Sequence, residues 1–265
     1  MTMKIKHFVI MILVFLVTMT STVHAKKAES IKSPYDARIV HIFMLAGQSN
    51  MSGKVPAPIV QRASNNVFMW RNSKNGWVTA LEPVNSFSGS GFGPSLSFGL
   101  HLIQSLNTKD LQIGLINCAV PGSRIETWVG DSARYSECKR EVDAALASGN
   151  AVLEGVIWSQ GEGNTRTKEA ADRWLPYTRI LFNRIRRDFG NPNLPIVYAQ
   201  LGEKPKEAGF PYWAYLQAIQ PQLAGTYTRM IVTSDLAKVD ALHFDLASQV
   251  VIGARFGRAF LSIGQ

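Results

Sequence analysis

Ser49, Gln160, Asp240 and His243 are the residues of this 265-residue chain whose types suit acyl transfer. That chemistry needs a nucleophile, a base to take its proton, a carboxylate to hold the imidazole, and donors for the oxyanion. Ser49 stands in Gly47-Gln48-Ser49-Asn50-Met51, directly after the apolar run Ile42-Phe43-Met44-Leu45-Ala46. The run reads as a buried parallel strand, and its stop at Gly47 presents a hydroxyl at the strand's carboxyl end. A strand followed by a polar turn would account for the same ten residues. Two later stretches favour a site: Trp158-Ser159-Gln160-Gly161-Glu162 and Asp240-Ala241-Leu242-His243. Asp and His three apart can share one turn, so Asp240 can reach one ring nitrogen while the other faces Ser49. Beyond residue 25 the other histidines are His41, which opens the first strand, and His101, which lies in a helical pattern. Both read as structural.

The elements that must position these residues alternate between strand and helix. Strands are expected at 42–46, 66–70, 112–117, 152–158, 195–200 and 230–233, and helices from Pro94 to Leu106, at 137–147, 170–189 and 212–223, and from Phe244 to Phe260. Residues 72–93, rich in Asn, Ser and Gly, read as an irregular surface segment. Alternation at this spacing predicts a mostly parallel sheet covered on both faces, a three-layer α/β/α sandwich. Ser49, Gly122, Gln160 and the Asp240/His243 pair then fall at strand ends or just after them, and in a doubly wound sheet such ends face one crevice.

The first residues carry Lys4 and Lys6, then an uncharged run from Phe8 to Met19, then Val23-His24-Ala25. This is the pattern of a secretory signal cut after Ala25, with an uncleaved anchor as the alternative. The run is short beside the roughly 20 apolar residues that a membrane span requires, so no stable membrane insertion is expected after cleavage. Residues 26–265 suit a single domain, and the expected location is periplasmic or extracellular. The net charge of +9, or +7 without Lys4 and Lys6, favours anionic surroundings such as acidic glycans or cell wall. Basic residues are scattered singly, which argues against nucleic acid. Two cysteines, Cys118 and Cys138, permit one disulfide in an oxidising compartment or can remain free thiols. Three scattered histidines supply no metal-ligand spacing, so neither a metal nor another cofactor is expected. Nothing in the sequence sets an oligomeric state.

Gly47-Gln48-Ser49-Asn50-Met51, the segment from Ala119 to Trp128, Trp158 to Glu162, and Asp240 to His243 resemble the motif blocks of SGNH-type esterases, in the sialate O-acetylesterase-like and carbohydrate esterase family 6 branch. The likeness spans nearly all of residues 26–265 in block order. It implies a flavodoxin-like SGNH fold and metal-free deacetylation of an O-acetylated sugar. By position Ser49 matches the nucleophile, His243 the base and Asp240 its orienting acid. The backbone amides of Ser49 and Gly122 and the side-chain amide of Gln160 match the oxyanion donors. Pro121 stands where the family often has Gly and cannot donate, so that part of the hole rests on Gly122. Gln48, Arg124 and Glu162 are candidate substrate-binding residues. Arg124 could hold a sugar carboxylate or be an ordinary surface arginine, and Glu162 could brace the loop that aims Gln160. Trp77, Phe87 and Phe92 could form an aromatic wall or simply pack their loop. A lipase or thioesterase on the same fold, or a non-catalytic glycan-binding protein, fits much of the same pattern.

Overall fold

In the computed structural model the first central strand, β1 (Val40–Gly47), is buried from His41 to Gly47, as a strand covered on both faces must be. The structure describes residues 39–58, 64–108, 110–130 and 132–264. The expected signal segment and its cleavage site lie outside the described residues. Six further strands follow: β2 (Val67–Arg71), β3 (Gly76–Thr79), β4 (Gln112–Asn117), β5 (Ala151–Ser159), β6 (Ile196–Ala199) and β7 (Thr228–Ile231). They form one sheet in the order β3-β2-β4-β1-β5-β6-β7. Every pairing is parallel except that of β3 with β2.

Side-chain alternation along β1 divides the core in two. Ile42, Met44 and Ala46 pack with Tyr135 and Val142 of α3 (Ala133–Ala147), Trp174 and Leu181 of α4 (Lys168–Asp188), and Leu216 of α5 (Trp213–Ile219). Phe43 and Leu45 face the other way, against Phe98 and Leu102 of α2 (Ser95–Leu106) and Phe256 and Phe260 of α6 (Leu246–Leu261). Phe43 meets the rings of Phe98 and Phe260 edge-on, at 5.0 and 4.9 Å. The three layers are those the sequence predicts.

Several elements differ from expectation, the closing helix among them, which begins at Leu246 and not at Phe244. The stretch 72–93 contains β3, an edge strand whose Trp77 sits opposite Trp70 of β2 with the rings 5.2 Å apart. This cross-strand pair overrides the low strand propensity of its Asn-rich surroundings. α3 begins at Ala133 and not at 137, its first turn held by the buried Tyr135. β7 lies at 228–231 instead of 230–233, paired in register with β6. The helix expected to end at Leu223 gives way after Ile219 to a tighter turn with Pro221 near its start. A Pro inside a helix also fails to stop one: α4 runs through Pro176, its length secured by the buried face of Trp174, Leu181 and Ile185.

Candidate active site

Three adjacent central strands, β4, β1 and β5, end at the same edge of the sheet, and the segments after them carry Gly122, Ser49 and Gln160. Gly47 joins the ends. Its carbonyl accepts from Val120 N at 2.9 Å and from Ser123 Oγ at 3.1 Å, while Gln48 N donates to Ser159 O at 2.8 Å. A Cβ on Gly47 would lie 2.0 Å from the Ser159 carbonyl oxygen, and its φ is +129°, so only glycine lets β1 approach β5 this closely. Ser49 then opens a single helical turn, α1 (Ser49–Ser52).

The loop from 232 to 245 reaches back from β7 toward this turn. It is braced by Val239 N to His243 O at 2.9 Å and by Thr233 Oγ1 donating to Gln200 O at 2.9 Å. His243 Nε2 lies 3.1 Å from Ser49 Oγ, and His243 Nδ1 lies 2.7 Å from Asp240 Oδ2. Asp240 Oδ1 accepts from the Leu242 and His243 amides, both at 2.7 Å. Burial pushes the Asp240 carboxyl up, but the hydrogen bonds from His243 and the two amides outweigh it and leave it below its ordinary value. An ionised carboxylate only accepts, so Nδ1 carries the proton and Nε2 is left to accept from the Ser49 hydroxyl. This chain of hydrogen bonds can take a proton from Ser49 and stabilise the imidazolium that results.

The other site candidates fall into two groups. Gln48 is buried, and its Oε1 lies 3.2 Å from Gly163 N, 3.3 Å from Gln160 Nε2 and 3.4 Å from Gly161 N. That position makes it a tie between the loops after β1 and β5, closed to a substrate. Gln160 is 2% exposed, with Oε1 accepting from Trp174 Nε1 at 2.8 Å. Its Nε2 faces Asn164 Oδ1 at 2.8 Å, Ser123 O at 3.1 Å and Gln48 Oε1, with no hydrogen bond to Ser49 among the described residues. Two N–H bonds toward three protein acceptors leave none for an oxyanion in this arrangement. The Gly122 amide, by contrast, has no hydrogen-bond partner among the described residues, and space opens around its α-carbon, where φ is +71°. Arg124 keeps a half-exposed side chain, 4.0 Å from Glu126.

Glu162 is buried, and burial raises its carboxyl above the ordinary range against the bonds from its own amide and Asn50. Its Oε1 accepts from Asn50 Nδ2 at 2.6 Å, so it braces the turn after Ser49 and makes no hydrogen bond with Gln160 among the described residues. Asn50 and Asn164 are the participants that sequence reasoning passes over. Asn164 links Ile125 N, Gln160, Glu126 and the Ala170 carbonyl, all within 3.0 Å. Their only signal is a short amide within a motif block. Of the aromatic residues, Trp77 donates to Ser148 Oγ at 3.3 Å and Phe92 is buried, while Phe87 is 46% exposed. Cys118, in the loop after β4, is paired with Cys138 of α3, their Cα atoms 5.5 Å apart. His41 Nδ1 meets Glu154 Oε1 at 2.7 Å and His101 Nε2 meets Ser105 Oγ at 3.2 Å, structural contacts away from Ser49.

Comparison with known proteins adds to this geometry. The chain is 24% identical over 245 residues to a probable carbohydrate esterase of Arabidopsis thaliana, covering 83% of this chain and 90% of the relative. The crystal structure of that plant protein superposes with a TM-score of 0.77 at 23% identity, over 84% of this chain and 98% of the other. NanS gives 0.65 at 15% identity, over 84% and 97%. A carbohydrate acetylesterase from Xanthomonas citri gives 0.59 at 20% identity, over 84% of this chain but 56% of that larger one. At these identities the superpositions establish the fold. The family model described as carbohydrate esterase, sialic acid-specific acetylesterase matches residues 39–262, and the chain belongs to that family.

Proposed function

We propose that the protein is an exported serine esterase that removes O-acetyl groups from a carbohydrate without a metal, with Ser49 as nucleophile, His243 as base and Asp240 as the orienting acid. The observation that carries this reading is the continuous hydrogen-bond path from Ser49 Oγ through His243 to Asp240 at the edge where three central strands end. Ser49 Oγ attacks the acetyl carbonyl carbon while its proton passes to His243 Nε2. The oxyanion is received by the backbone amides of Ser49 and Gly122, with Gln160 holding Ser123 and Asn164 beneath them. The bond from the acyl carbon to the sugar oxygen then breaks as the imidazolium gives its proton to that departing oxygen, which leaves as the sugar hydroxyl. Water, deprotonated by the same imidazole, attacks the carbonyl carbon of the acetyl-Ser49 ester, the bond to Ser49 Oγ breaks as the imidazolium returns the proton to that oxygen, and acetate leaves. Removal of residues 1–25 would leave 26–265 as one esterase domain, and export agrees with the Cys118–Cys138 pair.

Acetate release from acetylated sialic acids, xylan and peptidoglycan, measured for the protein and for Ser49→Ala, tests the reading. Ser49→Ala should stay folded and lose the activity. With one leaving group, rates should fall from acetyl to butyryl to octanoyl esters. A lipase would instead gain about 0.8 kcal/mol for each buried methylene. Rates that climb through octanoate, or a Ser49→Ala protein with full turnover, would overturn the assignment.

A further inference from the structure

One side-chain amide joins the turn of the nucleophile to the loop that carries the base. Asn50 follows Ser49 directly and is buried. Its Nδ2 donates to the Leu242 carbonyl at 3.1 Å, and its Oδ1 accepts from Phe244 N at 3.2 Å. These partners are the residues on either side of His243, so one amide grips the backbone that flanks the imidazole. The grip works one way up only: a reversed amide would set Nδ2 against an N–H and Oδ1 against a carbonyl.

Glu162 fixes that orientation. Its Oε1 takes a further bond from the same Nδ2 at 2.6 Å, shorter than the amide's two backbone bonds. The arrangement is costly to build, because Glu162 is buried and its Oε2 has no hydrogen-bond partner among the described residues. A half-satisfied buried carboxyl destabilises a core, and an apolar side chain would serve packing better. Gln249 Nε2 adds a bond to the Asn50 carbonyl at 3.3 Å, holding the same residue from α6. Asp240 aligns the ring of His243 from a side chain that is 53% exposed, whereas Asn50 and Glu162 are enclosed.

We infer that Asn50 and Glu162 are positioning residues for the base. Asn50 sets the distance of His243 from Ser49 through Leu242 and Phe244, and Glu162 acts through Asn50. The inference rests on the reading of Ser49 as nucleophile and His243 as base.

The test is a cycle of variants assayed for kcat and KM on 4-nitrophenyl acetate: Asn50→Ala, Glu162→Gln, His243→Ala, and each of the first two combined with the third. Asn50→Ala should lower kcat by about 100-fold with KM within about twofold, since misplacement by about an ångström costs that much. Glu162→Gln keeps the shape and an acceptor but lets the amide invert, and should lower kcat by about 10-fold. In the His243→Ala background either change should alter the residual rate by less than about twofold, because its effect runs through the missing imidazole. Should Asn50→Ala fail to fold by circular dichroism, the isosteric Glu162→Gln carries the same cycle. The inference is overturned by a folded Asn50→Ala protein with unchanged kcat, by a loss confined to KM, or by a loss repeated in full without His243. Full activity in His243→Ala would instead remove the assigned base, and the inference with it.

Discussion

At the scale of single residues, chemistry was legible where the residue type itself limits the role. Ser49, Asp240 and His243 stand out by type because few side chains attack, hold an imidazole or accept a proton near neutral pH, and the structure brings the three into one hydrogen-bonded chain. The amides were not legible in this way, since Gln and Asn both donate and accept, and their role depends on direction. Gln160 and Gln48 suggest an oxyanion donor and a sugar contact by type, yet their atoms are turned to Ser123, Asn164, Gly161 and Gly163. Asp240 offers a prediction of its own. Burial acts to raise its carboxyl, but the bonds it accepts from the His243 ring and from the His243 and Leu242 amides outweigh that and hold it below the ordinary range, so its charge persists as pH falls below the usual carboxylate range. Asp240→Asn replaces that acceptor with an amide that can present its N–H to Nδ1, leaving the wrong ring nitrogen protonated. kcat should fall between about 100-fold and about 10,000-fold, with KM little changed. A loss of under threefold in steady-state kinetics would mean that the backbone alone orients the ring.

At the scale of elements, the strands and helices that cover the sheet followed from periodicity, while edges and caps did not. β3 is not legible in the sequence because an edge strand needs only one good cross-strand pair, here Trp70 with Trp77. The start of α2 was found from its proline, but not the acid beside it. Glu82 Oε1 accepts from Leu96 N in the first turn of α2 at 3.1 Å, and Oε2 accepts from Val84 N at 3.0 Å. Burial dominates over these bonds and over Arg71, and pushes the Glu82 carboxyl up to about 7 from an ordinary 4.5. The folded state therefore holds this proton more tightly than the unfolded chain, so its contribution to stability is full below about pH 4.5 and is lost as pH rises through about 7. A lift of this size corresponds to roughly 3 kcal/mol. Urea unfolding of the protein and of Glu82→Gln should show the difference between them shifting toward the unsubstituted protein at pH 5 relative to pH 8. A difference constant with pH would place the titration elsewhere. The Cys118–Cys138 link is a separate element-scale device, tying the loop after β4 to α3 across 20 residues. Cys138→Ala should cost about 3 kcal/mol, read as a lower urea midpoint, and an unchanged midpoint would show that the pair is not bonded in solution.

At the scale of the whole molecule, the layer order was readable because strand and helix alternate, and the site's general place follows from any doubly wound sheet. What the sequence could not give is that β4, β1 and β5 are neighbours, since strand order comes from crossovers and not from local pattern. That adjacency gathers the segments after β4, β1 and β5 at one edge, where Ser49 and Asn50 meet the loop after β7. Net charge acts at the same scale. The whole chain carries +9, and +7 without Lys4 and Lys6, so an anionic polymer is drawn toward it from distances at which a neutral one is not. Screening shortens that reach from about 30 Å at 0.01 M salt to about 8 Å at 0.15 M. If the substrate is an acidic acetylated glycan, KM should rise severalfold across that salt range while kcat holds, because the attraction governs encounter and leaves the acetyl carbonyl unaffected once bound. Acetylated xylan stripped of its uronic acid side groups should show a flat KM over the same range, and it controls for any salt effect on the fold. Equal slopes for the two polymers would mean that the positive charge serves adhesion or solubility and takes no part in choosing the sugar. A slope for the acidic polymer alone would direct the search for the natural substrate to glycans whose backbone carries negative charge.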